Sequence, residues 1–203
     1  MPRFKVWLPR ALFESVLIVF SILLALAMNE WQQDRERVHV VHRSILLLER
    51  EIRRNESSLT DQVPYHAGLR VVLHKGVGGD GVATVAAYRE VMQEFEPASF
   101  INSAWSTAMA TGSLANMDFE LVSAISLTYG IQSRLEQIYA TGPADLMQSG
   151  KLTQENLPTT ISAASRYIDD VTAREDELEG VYKQALQIIA TYKKAAGLGD
   201  SAP

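Results

Sequence analysis

Between Ala11 and Val63 the chain carries neither glycine nor proline. A run that long without a breaker leaves no place for the tight turns that join short strands, so it reads as helix throughout. Its first part is of a special kind. Ala11 to Met28 is apolar except for Glu14, Ser15 and Ser21, and Trp7 and Trp31 flank it. A helix between the two tryptophans rises about 36 Å, which matches a bilayer's hydrocarbon core plus part of each interface. Tryptophan prefers that interfacial depth, because its ring is apolar and its N–H is not. Residues 11–30 are therefore expected to cross a lipid bilayer.

Charge orients the span. Arg3, Lys5 and Arg10 precede it, whereas Glu30, Asp34, Arg35, Glu36 and Arg37 follow it as a mixed set. The excess of positive charge on one flank predicts that residues 1–10 form a cytoplasmic basic tail. The domain after the span then lies in the periplasm, across a bacterial inner membrane. A cleaved secretory signal is the rival reading, since the basic start, the apolar core and Ala25-Leu26-Ala27 resemble a signal peptide over residues 1–27. The helical pattern runs on through Trp31 without a turn-prone break for a peptidase, which favours an anchor over a secreted periplasmic protein. Glu14 stands about one turn inside the cytoplasmic end. It either snorkels and pairs with Arg10, four residues earlier, or touches a partner helix in the membrane.

Beyond the span, Trp31, Val38, Val41, Ile45, Leu48, Ile52, Asn55 and Leu59 fall on one heptad seam. Arg43, Glu49, Arg50, Glu51, Arg53, Arg54 and Glu56 are assigned to the outward faces. The spacing predicts one rod from the membrane to about Leu59, bending at Pro64 and continuing to His74. Gly76-Val77-Gly78-Gly79-Asp80-Gly81 ends it. This loop lacks the Lys-Ser/Thr ending and the preceding strand of a phosphate loop. Val82 to Phe95 forms a short helix. Ser99 caps another through Ala110, closed near Gly112. Asp118 caps a helix from Phe119 to Tyr139, stopped by Gly142-Pro143, with Leu121, Ile125, Tyr129 or Thr128, Gln132, Leu135 and Tyr139 facing inward. The last helix starts near Pro158, its seam running from Ile161 through Ala164, Ile168, Val171, Leu178, Tyr182, Ala185 and Ile189 to Tyr192. Residues 197–203 are a flexible tail. The fold class is all-α: an N-terminal transmembrane helix continuing into a long helix, with an antiparallel helical bundle of four main helices over residues 31–196.

The run from Glu14 through Ile18-Val19-Phe20-Ser21-Ile22-Leu23-Leu24-Ala25-Leu26-Ala27-Met28 to Asn29-Glu30-Trp31 resembles the start of a group of uncharacterised proteobacterial single-pass inner-membrane proteins. In that group such an anchor runs straight into an Asn/Asp-Glu-Trp step. Leu48-Glu49-Arg50-Glu51-Ile52-Arg53-Arg54-Asn55, Ala104-Trp105-Ser106-Thr107-Ala108 with Gly112, and Tyr129-Gly130-Ile131-Gln132 are similar to later blocks of the group. The resemblance implies a Gram-negative envelope location. It brings no activity with it. The Gly76 to Gly81 insert and Ser57-Ser58 depart from the pattern.

Chemistry has few footholds. The net charge of −5 argues against sequence-independent nucleic-acid binding, and the absence of cysteine removes disulfides, thiol catalysis and thiolate zinc sites. Glu36-Arg37-Val38-His39 matches one Glu-x-x-His step of a di-iron bundle, but His42, His66 and His74 lack the second. His39 and His42 alone make an incomplete metal site. No serine sits in a nucleophile elbow. Asp169-Asp170 and Glu175-Asp176-Glu177 read as a solvated face. No catalytic residue, metal ligand or cofactor is assigned. Trp105, Tyr129 and Gln132, near small residues that let helices approach closely, are the candidate ligand pocket. Glu14, Trp7, Trp31 and Asn55 are candidates for membrane or partner contact, with Asn55 fixing register. The expected function is a non-enzymatic scaffold or accessory subunit docking on other membrane or envelope proteins, in a larger complex or a homo-oligomer. A ligand-sensing bundle is the alternative, disfavoured because residues 1–10 are too few for a cytoplasmic output module.

Overall fold

The structure is a computed structural model that describes the backbone at residues 4–93, 95–146 and 152–198, and side chains over 12–93, 95–142 and 152–198. It is all-helical, with no strand among the described residues. Five α-helices follow in order: α1 (Phe4–Val77), α2 (Val85–Gln93), α3 (Ser103–Ala110), α4 (Phe119–Leu146) and α5 (Leu157–Ala195). A short 3-10 turn at Ser113–Asn116 separates α3 from α4.

The chain divides into two compact units, residues 1–43 and 44–203. In the first, every described side chain from Leu12 to Val40 is exposed. The apolar stretch here has a mean hydropathy of 2.2, none of it is buried, and the helix is long and apolar enough to cross a membrane. Trp31 is exposed, with the Arg35 guanidinium 4.0 Å over its ring. Such a contact holds the ring against its own helix.

In the second unit the seam residues behave as their spacing predicts. Ile45, Leu48, Ile52, Asn55 and Leu59 on α1 are fully buried, as are Ile125 and Leu135 on α4 and Ala164, Ile168, Val171, Leu178, Tyr182, Ala185 and Ile189 on α5. Residues three and four apart share one helix face, so these rows face one another and close a core. The contacts give the directions. Along α1, Glu49, His66 and Arg70 meet Lys193, Glu175 and Asp169, so α5 runs antiparallel to α1. Along α4, Gln132 and Tyr139 meet Tyr182 and Glu175, so α5 is antiparallel to α4 as well. Helices α1 and α4 are therefore parallel. Residues 78–118, with the short α2 and α3, carry the chain back between them. Among the described residues three long helices build the bundle, where four main helices were expected.

Local signals decide several ends. Gly79 and Gly81 take φ of +88° and +125° in the loop after α1, a region costly to side-chain-bearing residues. Thr84 Oγ1 accepts the Ala87 N–H at the start of α2, and Asp118 Oδ1 accepts the N–H groups of Glu120 and Leu121 at the start of α4. Helix α1 continues through Pro64, as expected, and runs on past His74 to Val77. One expected break is crossed: α4 passes Gly142-Pro143 and runs to Leu146. Gly142 is a close-packing position: a Cβ there would meet the Tyr167 ring of α5 at 1.8 Å. Helix α3 starts at Ser103, not Ser99, whose N–H is held by Ser58 Oγ of α1.

Candidate functional site

Two buried carboxylates organise the bundle's polar interior, and both were assigned to outward faces from the sequence. Glu51, on α1, is 4% exposed. It accepts the backbone N–H groups of Ala104 (2.7 Å) and Trp105 (3.2 Å), the Ser103 hydroxyl (2.9 Å) and the Tyr129 hydroxyl (2.6 Å). The first N–H groups of a helix have no partner within it, and the preceding residue normally supplies one. Asn102 stands at that position without making the bond. A glutamate of another helix replaces it, adding a negative charge where the helix dipole favours one. Burial pushes the Glu51 carboxyl upward, but the donors from Tyr129, Ala104, Ser103 and Trp105 outweigh it and hold the group below the usual carboxylate range. Burial, reinforced by Glu51, pushes the Tyr129 hydroxyl far up, so it stays a donor.

Beside this cap lies Asn55. Its Nδ2 donates to the Ile101 carbonyl (2.7 Å) and to Gln132 Oε1 (3.0 Å), and its Oδ1 accepts the Ile101 N–H (3.0 Å). Tyr182 donates to the same Gln132 oxygen at 2.8 Å. Trp105 stacks on Tyr129 with centroids 5.0 Å apart and planes 12° apart. The three residues expected to line a pocket are thus in one neighbourhood, spent on one another and on Glu51 and Asn55. One helical turn before Arg53, Glu49 is likewise buried: it accepts from Lys193 at 2.9 Å and from Arg53 at 2.8 Å. Burial raises its carboxyl and these two cations bring it below the usual range.

The second carboxylate, Glu175 on α5, is 1% exposed. Its Oε1 lies 2.5 Å from His66 Nδ1 and accepts the Tyr139 hydroxyl at 2.6 Å. The other ring nitrogen, Nε2, donates to the Glu96 carbonyl at 3.1 Å. Both ring nitrogens thus face acceptors, Nδ1 the Glu175 carboxyl group and Nε2 the Glu96 carbonyl. Both nitrogens are committed, which leaves none for general-base work on a substrate. Phe95 stacks on the imidazole at 5.0 Å. Glu175 Oε2 and the Tyr167 hydroxyl are buried with no hydrogen-bond partner among the described residues. Burial first, and Glu175 second, raise Tyr139 and Tyr167.

Glu175 also lines a cleft of about 700 Å3 between α1 and α5. Val63, Ala67 and Val71 give it an apolar strip. Arg70, His74 and Lys75 stand on the α1 side, Thr172, Glu175 and Asp176 on the α5 side. Arg70 Nε and His74 Nε2 both reach Asp169 Oδ1, at 2.6 and 2.9 Å, and with His74 contributing most they lower the Asp169 carboxyl.

The other sequence candidates do not join these clusters. Glu14 is exposed on α1. Trp7 is in the helix, but its side chain lies outside the described residues. His39 is exposed and His42 half-buried. Among the described residues no three imidazole or carboxylate groups come together as a metal site. The sequence does carry a signal for Glu175: the α5 seam jumps seven residues from Val171 to Leu178, and position 175 fills the gap.

The fold and its interior define an all-helical bundle protein with a helix long and apolar enough to cross a membrane. Comparison with protein-family models, curated proteins and solved structures gives no match.

Proposed function

We propose that this chain is a single-pass membrane protein whose helical bundle serves as a non-enzymatic scaffold or accessory subunit. Residues 11–30 cross a bacterial inner membrane with the basic tail in the cytoplasm, and the bundle stands in the periplasm against other membrane or envelope proteins. The observation that carries this reading is the exposed run from Leu12 to Met28. Apolar side chains such as Leu17, Phe20 and Leu24 are all more than half exposed on a helix that the chain itself does not cover. An uncovered apolar surface of that extent needs lipid or protein around it. Residues 29–40 support the docking part. They are helical and exposed on every side. Val38 and Val40 on it are apolar and uncovered.

The test uses a photoreactive amino acid at Val38 or Val40 of the full chain in native membranes. Irradiation should give one discrete crosslinked product containing another membrane or envelope protein, or a second copy of the chain. Release of the chain by alkaline carbonate, or a mature N-terminus at Met28, would remove the anchor. A smear of products with no fixed partner would remove the docking.

A further inference from the structure

The geometry points to the α1–α5 cleft as a binding site for a small zwitterion, a molecule bearing an ammonium group and a carboxylate a few methylenes apart. Three observations converge on that chemistry. The first is an acceptor without a donor. Glu175 is 1% exposed and lines the cleft; its Oε1 already serves His66 and Tyr139, while Oε2 has no partner among the described residues. A buried carboxylate oxygen calls for an N–H or O–H group, and an ammonium supplies it with a compensating charge.

The second is the division of charge across the cleft. Arg70 and Lys75 are on the α1 wall, Glu175 and Asp176 on the α5 wall. Arg70 is engaged by Asp169, but Lys75 and Asp176 have no ion-pair partner among the described residues. A simple anion meets two carboxylates and a simple cation meets two basic groups. A zwitterion laid across the cleft, ammonium toward Glu175 and Asp176, carboxylate toward Lys75, meets opposite charge at each end. The third is the apolar strip of Val63, Ala67 and Val71 along the α1 wall, which suits a short methylene chain. A volume of about 700 Å3 falls within the usual range for small-molecule sites. Because Oε2 itself is closed to bulk solvent, the donor reaches it as side chains of the cleft wall adjust, a change common on binding.

Calorimetric titration of the full chain in mild detergent tests this with straight-chain ω-amino acids from glycine to 6-aminohexanoate. The alkylamine and the alkanoate of each length are run in parallel. At least one amino acid should bind about tenfold or more tightly than both matched single-charge compounds. Lys75→Glu, an exposed change that spares the core, should weaken that ligand by about tenfold or more and narrow its advantage over the amine. Glu175→Gln should weaken the ligand and the amine alike; should that variant fail to fold, Asp176→Ala on the exposed side serves the same comparison. The inference is overturned if no member of the series binds below about 10 mM. It is overturned equally if amine, alkanoate and amino acid bind alike, or if Lys75→Glu leaves the affinity unchanged.

Discussion

Glu51 and Glu175 are both glutamates on the inner face of a long helix, both nearly inaccessible, and both bonded to a tyrosine of α4. Their surroundings differ. Glu51 accepts four hydrogen bonds shared over its two oxygens, two from backbone N–H groups at the start of α3. Glu175 accepts at one oxygen only, and the other faces no donor among the described residues. A buried charge is tolerated when its lone pairs are filled and is costly when they are not. Glu51 is thus a fully used structural cap that fastens the returning segment to α1. Glu175 retains spare accepting capacity beside a cleft. The contrast sets an end of the bundle interior whose acceptors are filled against one with an acceptor to spare.

The largest effect should come from removing the closed site. Glu51→Ala strips one acceptor group from α3's first N–H groups, Ser103 and Tyr129 together, and should cost about 3–5 kcal/mol of bundle stability. Urea unfolding followed by circular dichroism reads this directly. A loss below about 1 kcal/mol would mean that water replaces the carboxylate without difficulty, and that the site is not closed. Next comes Gly142→Ala, which drives a methyl into the Tyr167 ring next to Glu175. The structure has no room there, so a destabilisation of about 2–3 kcal/mol is expected. Near-neutral behaviour would show the Glu175 end to be loosely packed.

A matched pair of smaller changes weighs the two carboxylates against each other. Tyr129→Phe leaves Glu51 with three donors, and should cost about 1 kcal/mol. Tyr139→Phe leaves Glu175 with His66 alone, and should cost about 2 kcal/mol. If the order reverses, the shortage of donors at Glu175 is not what distinguishes the sites.

Much of this architecture was legible in the sequence, and the part that was not has a common cause. The seams of α1, α4 and α5 follow from spacing along one helix, and so does the burial of Asn55, a polar residue on a seam. The Asp118 cap is local for the same reason: its partners are two and three residues away. Glu51 could not be read this way. It stands in a run of charges that looks solvated, and its partners lie more than 50 residues further along the chain. Gly142 looked like a stop because a glycine followed by proline usually is one. Its close approach to an α5 ring is a tertiary contact that no local pattern reports. Glu175 is intermediate, since the seven-residue gap in the α5 seam pointed to it although its charge argued for the surface.

The smallest effect is in pH, and it tests the closed end of the interior. Glu49 and Glu51 are held below their ordinary value of 4.5 in the folded chain. A group lowered on folding binds its proton more readily when unfolded, so it contributes stability above about pH 4.5, and that contribution fades as pH falls through the lowered folded value. Stability should therefore be flat near neutrality and decline in acid, by at most about 1.4 kcal/mol per pH unit for each such group. Glu51→Gln should be less stable at neutral pH and should lose a measurable part of that acid slope. Lys193→Met should do the same through Glu49, whose buried lysine partner it removes. An unchanged acid slope in both variants would mean that other carboxylates set the acid response. The closed polar cap would then owe its strength to hydrogen-bond geometry and not to the charge of the carboxylate.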